Sequence, residues 1–120
     1  MTCTVLVVDD HAEFRSVVRA LLQAEGFDVV GEAADAQAAL DSVIRLRPEV
    51  VLLDVLLPGL DGFVVADLLA AIGPSAPDIV LVSSRPASAY RRRLVSTPAR
   101  GFLSKADLTG PALRRLLDRG

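Results

Sequence analysis

The sequence predicts a doubly wound α/β domain, a five-stranded parallel sheet with helices on both faces. Short β-branched, apolar runs alternate five times with segments whose apolar residues recur at helical spacing. Parallel neighbours need crossover connections, and helices between the strands supply them. The runs end in carboxylates, hydroxyls or an ammonium, on the edge where ligands bind in such sheets.

The first run, Thr4-Val5-Leu6-Val7-Val8, is continuous, as expected for a strand buried on both faces, and stops at Asp9-Asp10. Phe14, Val17, Val18, Leu21 and Leu22 then form one helical stripe, closed by Gly26. Residues 28–33 read as a second strand. Asp35 is an N-cap for a helix presenting Ala36, Ala39, Leu40, Val43 and Ile44 before Pro48. Residues 49–54 are a third strand ending in Asp54. Pro58-Gly59 turns the chain, Asp61 caps, and Val65, Leu68, Leu69 and Ile72 make the next stripe, ended by Gly73-Pro74. Residues 79–82 form a fourth strand ending in Ser83-Ser84, and a helix is predicted over 87–95. Gly101-Phe102-Leu103 is a short fifth strand ending near Lys105. A last helix starts near Thr109, with Pro111 in its first turn and Leu113, Leu116 and Leu117 on its inner face.

Composition limits the function. The chain has 120 residues, 52% of them hydrophobic, with a net charge of -2, so it is one domain with enough apolar surface for a core. That slightly acidic balance argues against non-specific electrostatic binding of nucleic acid by this chain. Cys3 is the only cysteine, which leaves no disulfide or thiolate cluster and suits a reducing cytoplasm; it reads as a small apolar residue entering the first strand. The most apolar stretch, 50–60, is broken by Asp54, Pro58 and Gly59, so no membrane span or leader is expected.

The strand ends bring Asp9, Asp10, Asp54, Ser83 and Lys105 to one edge. A nucleotide pocket would place glycines or hydroxyls after the first strand; two carboxylates stand there instead. Three carboxylates at one site repel one another unless a divalent cation neutralises them, and hard oxygen donors suit Mg²⁺. Lys105 is the only lysine among 13 basic residues. An ammonium on a flexible stem pairs with a carboxylate at rest and follows a phosphoryl oxygen later, which a planar guanidinium does less readily.

These residues, in this order and spacing, resemble the receiver domain of two-component response regulators over essentially the whole chain. The acidic pair Asp9-Asp10, the stretch from Leu52 through Asp54 to Gly62, Ser83 and Lys105 carry the likeness, and Gly31-Glu32-Ala33 and the ending 101–108 look most like the NarL/FixJ subgroup. The resemblance implies a flavodoxin-like strand order 2-1-3-4-5. It implies that Asp54 accepts a phosphoryl group from a phosphohistidine on a sensor histidine kinase or phosphotransfer protein. It further implies that Asp10, Asp54 and the Leu56 backbone carbonyl ligate Mg²⁺ directly and Asp9 through water. Lys105 and the Ser83 hydroxyl then hold the phosphoryl group, and Phe102 changes rotamer as the face of helix four, strand five and helix five responds. Such a protein is a switch rather than a turnover enzyme.

Several of these residues also suit local structural roles. Asp9 and Asp10 also suit a helix N-terminus, with Asp10 as the cap. Phe102 also suits an ordinary core, and His11 reads as a solvated first-turn residue rather than a ligand. Arg91-Arg92-Arg93 reads as a solvated face, or as a contact for a partner or dimer mate. Ala106 and Pro98 stand where the family often has proline and glycine. Leu56 and Arg85, each two residues beyond a site residue, predict slow self-dephosphorylation. Residues 1–120 read as a single receiver domain, with no output domain visible beyond Asp118-Arg119-Gly120, either stand-alone or a fragment. The competing functions are a phosphorylation-independent interaction module and a flavin-binding electron carrier. The carboxylates and the lack of Trp oppose the latter.

Overall fold

The computed structural model describes residues 2–118; Met1, Arg119 and Gly120 lie outside them. The strands are β1 (Thr4–Val8), β2 (Asp28–Ala33), β3 (Val50–Asp54), β4 (Asp78–Ser83) and β5 (Gly101–Ser104). They form one sheet in the order β2-β1-β3-β4-β5, and every pairing is parallel. Between and after them run α1 (Ala12–Ala24), α2 (Ala36–Leu46), α3 (Gly62–Ala70), α4 (Arg91–Ser96) and α5 (Gly110–Leu117).

Alternation along the strands divides the apolar residues between two cores. Leu6, Val8, Val51, Leu53, Ile79 and Leu81 face one side, where Ala39 and Val43 of α2 and Phe63, Val65 and Leu69 of α3 cover them. Val5, Val7, Val50, Leu52, Val80 and Val82 face the other, against Val18 and Leu22 of α1 and Leu113 of α5. Cys3 is partly buried against this second core.

The caps are local chemistry. Asp35, Asp61 and Thr109 accept hydrogen bonds from the backbone N–H groups of Ala38, Val64 and Ala112 at 2.8, 3.0 and 3.0 Å. Gly26, at φ 97, turns the chain out of α1. Arg47 ends α2 in the left-handed region at φ 49, directly before Pro48.

Four stripe residues do not enter the core. Val17, Ile44, Leu68 and Ile72 are exposed. Val17, Ile44 and Leu68 each adjoin a buried residue of their helix, where the sheet no longer covers the apolar arc, and Ile72 lies past the end of α3. The helix predicted over 87–95 is a 3₁₀ turn, Ala87–Tyr90, followed by the six residues of α4. Tyr90 interrupts it at φ -124, ψ 21, with its ring packed between Phe63 and Phe102.

Candidate functional site

Backbone bonds fix the positions of the two buried carboxylates. The Asp9 N–H donates to the Ala33 carbonyl at 3.0 Å, extending the β1–β2 ladder one residue past the strand. Asp54 closes β3 in register with Val82, and the next N–H, of Val55, donates to Val82 at 2.9 Å. Gly62 opens α3 directly on this corner: its N–H donates to the Val55 carbonyl at 2.7 Å, and a Cβ there would lie 2.8 Å from Val55 Cα and collide with the Asp54 carbonyl. Only glycine lets α3 start so close to the strand end.

Asp9 and Asp54 are 1% and 5% exposed. Lys105, just beyond β5, places Nζ 2.6 Å from Asp9 Oδ2 and 3.5 Å from Asp54 Oδ2. Burial pushes Asp54 up to about 6; the Leu56 N–H, 3.2 Å from its Oδ1, and Lys105 oppose the shift, while the Asp9 charge adds to it. Burial also raises Asp9, but Lys105 and the His11 N–H at 2.8 Å outweigh it and hold Asp9 below the ordinary carboxylate range. At neutral pH the lysine therefore serves Asp9 first, and Asp54 is the proton-avid partner.

Asp10 sits at the rim, more exposed than Asp9. Neither acid is the cap residue of α1; His11 occupies that position and makes no side-chain cap bond. The imidazole is exposed but not merely solvated, since its Nδ1 lies 3.1 Å from Asp9 Oδ1 and from Asp10 Oδ1. Asp9, Asp10, His11 and Asp54 each offer a ligand atom, all within 4.8 Å of one another. Asp9 Oδ2, buried, has the Lys105 ammonium as its close partner at 2.6 Å. A carboxylate-rich donor set of this kind fits a hard divalent cation.

Ser83, fully buried, follows the β4 residue that pairs with Asp54, whereas Ser84 is exposed. Its Oγ lies 2.9 Å from the Tyr90 hydroxyl and accepts from the Arg85 N–H at 3.1 Å. Phe102 on β5 stacks on the far side of Tyr90, ring centroids 5.9 Å apart. Arg93 lies over Phe63 at 4.3 Å and gives Nη2 to both Asp61 oxygens at 2.9 Å. Of the three consecutive arginines, this one is thus committed to α3. Leu56 is 53% exposed at the rim.

Asp9, Asp54 and Lys105 are brought together as the sequence predicts, and Ser83 lies one strand over. Sequence reasoning missed Tyr90 and Phe14. Tyr90 is the chain's only tyrosine, and Phe14 lies one helical turn beyond Asp10.

Residues 5–114 match the response regulator receiver domain, and the chain belongs to that family. It is 51% identical over 81 residues to protein-glutamate methylesterase/protein-glutamine glutaminase 5 of Myxococcus xanthus, covering 67% of this chain and 23% of that protein. It is 37% identical over 103 residues to the transcription regulator BvgA of Bordetella pertussis, covering 86% of this chain and 49% of that protein. The chain thus spans less than half the length of either curated relative. Among solved structures it superposes on the signal receiver domain of the response regulator NarL from Mycobacterium tuberculosis with a TM-score of 0.82, at 34% identity and 98% coverage of both chains. A LuxR-family two-component response regulator from Aurantimonas sp. gives 0.84 at 27% identity, covering 98% of this chain and 86% of that one. The NarL-like character read from the sequence agrees with these relatives. No described helix is long and apolar enough to cross a membrane.

Proposed function

We propose that residues 1–120 act as one receiver unit, a phosphorylation-dependent switch in which Asp54 takes a phosphoryl group from the phosphohistidine of a sensor histidine kinase or phosphotransfer protein. The observation that carries this reading is the Lys105 ammonium held between two buried carboxylates, 2.6 Å from one and 3.5 Å from the other. An Asp54 oxygen forms the new bond to phosphorus as the phosphorus–nitrogen bond breaks, and the electron pair of that bond returns to the leaving imidazole. Phosphoryl transfer needs positioning and charge neutralisation more than covalent chemistry. Lys105 leaves Asp9 for one phosphoryl oxygen, and the Ser83 hydroxyl donates to another. Asp10, Asp54 and the Leu56 carbonyl are the residues that would hold Mg²⁺ directly, with Asp9 acting through water. Bound there, the ion neutralises charge on the transferring oxygens.

Movement of Ser83 is passed to Tyr90 and Phe102, so the face formed by α4, β5 and α5 reads out the phosphoryl group. The chain is then a switch rather than a turnover enzyme. It works in the cytoplasm, with a kinase and a second copy of itself as partners, and without holding nucleic acid directly. Arg91 and Arg92 are exposed on α4 and belong to that face. The competing reading, a phosphorylation-independent interaction module, makes no use of the Lys105 pairing. Intact mass after incubation with a small-molecule phosphodonor and Mg²⁺ separates the two. One added phosphoryl group, lost in Asp54→Ala and without metal, supports the switch. No added mass on a folded chain that also fails to bind a stable phosphoryl mimic supports the module.

A further inference from the structure

Lys105 has a third neighbour, which is not a carboxylate. Its Nζ stands 4.2 Å from the centroid of the Phe14 ring, on α1, across the site from β5. We infer that Phe14 is a positioning residue for Lys105: its ring holds the ammonium beside Asp9 and Asp54 and thereby sets the rate at which Asp54 takes up a phosphoryl group. This deepens the proposed function and rests on it.

The chemistry of the three neighbours differs. Asp9 is the close partner at 2.6 Å and Asp54 the distant one at 3.5 Å. A lysine stem has free rotors, so an ammonium held by a single carboxylate swings toward water as readily as toward Asp54. The face of an aromatic ring attracts a cation without demanding one direction of approach. Phe14 is half-buried and Lys105 is 20% exposed, so the ring occupies a flank that water would otherwise take. An ammonium flanked in this way can slide from Asp9 to an oxygen arriving at Asp54 while keeping its third contact. Phe14 also packs against the core on the α1 side of the sheet, and the test must separate that packing from the ring's effect on the lysine.

Phe14→Leu keeps an apolar side chain and removes the ring, whereas Phe14→Tyr keeps both. With acetyl phosphate and Mg²⁺, followed by intact mass, Phe14→Leu is expected to lower the limiting rate of Asp54 phosphorylation about threefold to tenfold. The half-saturating donor concentration should stay unchanged, and Phe14→Tyr should react within twofold of the wild type. A second readout is independent of the reaction. Because the chain has one lysine, ¹³C-lysine labelling gives a single Cε resonance. The attached protons should be ring-shifted in the wild type and in Phe14→Tyr, and should move to the free-lysine value in Phe14→Leu.

Equal rates in the wild type and Phe14→Leu would overturn the inference while leaving the switch intact. Equal loss in Phe14→Leu and Phe14→Tyr, or no ring shift in the wild type, would also overturn it and reduce Phe14 to packing. A folded wild type that takes no phosphoryl group would overturn the switch itself, and the inference with it.

Discussion

The hydroxyl of Tyr90 lies 2.9 Å from Ser83 Oγ, which also accepts the Arg85 N–H. A serine hydroxyl has one proton and two acceptor sites. When Tyr90 donates, both acceptor sites are filled and the serine proton is free for a phosphoryl oxygen; when Ser83 donates, that proton is spent on Tyr90. Tyr90→Phe removes this competition along with one hydrogen bond. It should lower stability to urea by about 1 kcal/mol while tightening binding of a beryllofluoride phosphoryl mimic severalfold. Unchanged or weaker mimic binding would show that Tyr90 does not compete for Ser83.

Asp54 makes apo stability depend on pH in a direction unusual for a carboxylate. Its folded value, about 6, lies above its ordinary 3.8, so between these values the folded chain binds more protons than the unfolded one. Stability contributed by the protonated group is fully present below pH 4 and lost as pH rises through 6. Asp54→Asn should therefore melt higher than the wild type at pH 7 without metal, by about 1–3 kcal/mol at roughly 1.4 kcal/mol per pH unit, and the gain should vanish near pH 4. Addition of Mg²⁺ should narrow the gap at pH 7 by stabilising only the wild type. A variant less stable than the wild type at pH 7 would contradict this account.

Gly62 is a steric requirement of the site corner. Its Cβ position meets backbone atoms of Asp54 and Val55, which cannot rotate away as a side chain would. Gly62→Ala should cost about 2–4 kcal/mol in urea melts and slow phosphorylation beyond what stability explains. A neutral substitution would mean that α3 starts farther from β3 than described.

Arg47 carries a left-handed backbone without the freedom of glycine, at an exposed helix end. Replacing it by glycine relieves the contact of Cβ with the carbonyl, although glycine loses more chain entropy on folding. Arg47→Gly should raise the urea midpoint, equivalent to about 0.5–1 kcal/mol, with no effect on phosphorylation.

What could be read from the sequence was governed by short-range rules. Asp35, Asp61 and Thr109 cap helices through bonds that span three residues, so their roles are visible in a short window. Asp9, Asp54 and Lys105 were legible because the topology of a parallel sheet gathers its strand ends. The width of the buried arc on each helix depends on how far the sheet extends beneath it, and so the exposure of Val17, Ile44 and Leu68 was not readable. Tyr90 on Ser83 and Phe14 on Lys105 are contacts between different elements, with no spacing rule to announce them. The interruption of the fourth helix has the same origin, because an inward-turned tyrosine outranks local helix propensity.

The aromatic layer also gives the molecule an optical property. With no tryptophan and one tyrosine in the chain, emission excited in the tyrosine band, beyond the absorption of the phenylalanines, comes from Tyr90 alone. That fluorophore has its phenol on Ser83 and its ring between Phe63 and Phe102. Any rearrangement of the layer changes the polarity and hydrogen bonding of the emitting group, so the unlabelled protein reports its own conformational state as a change in tyrosine brightness.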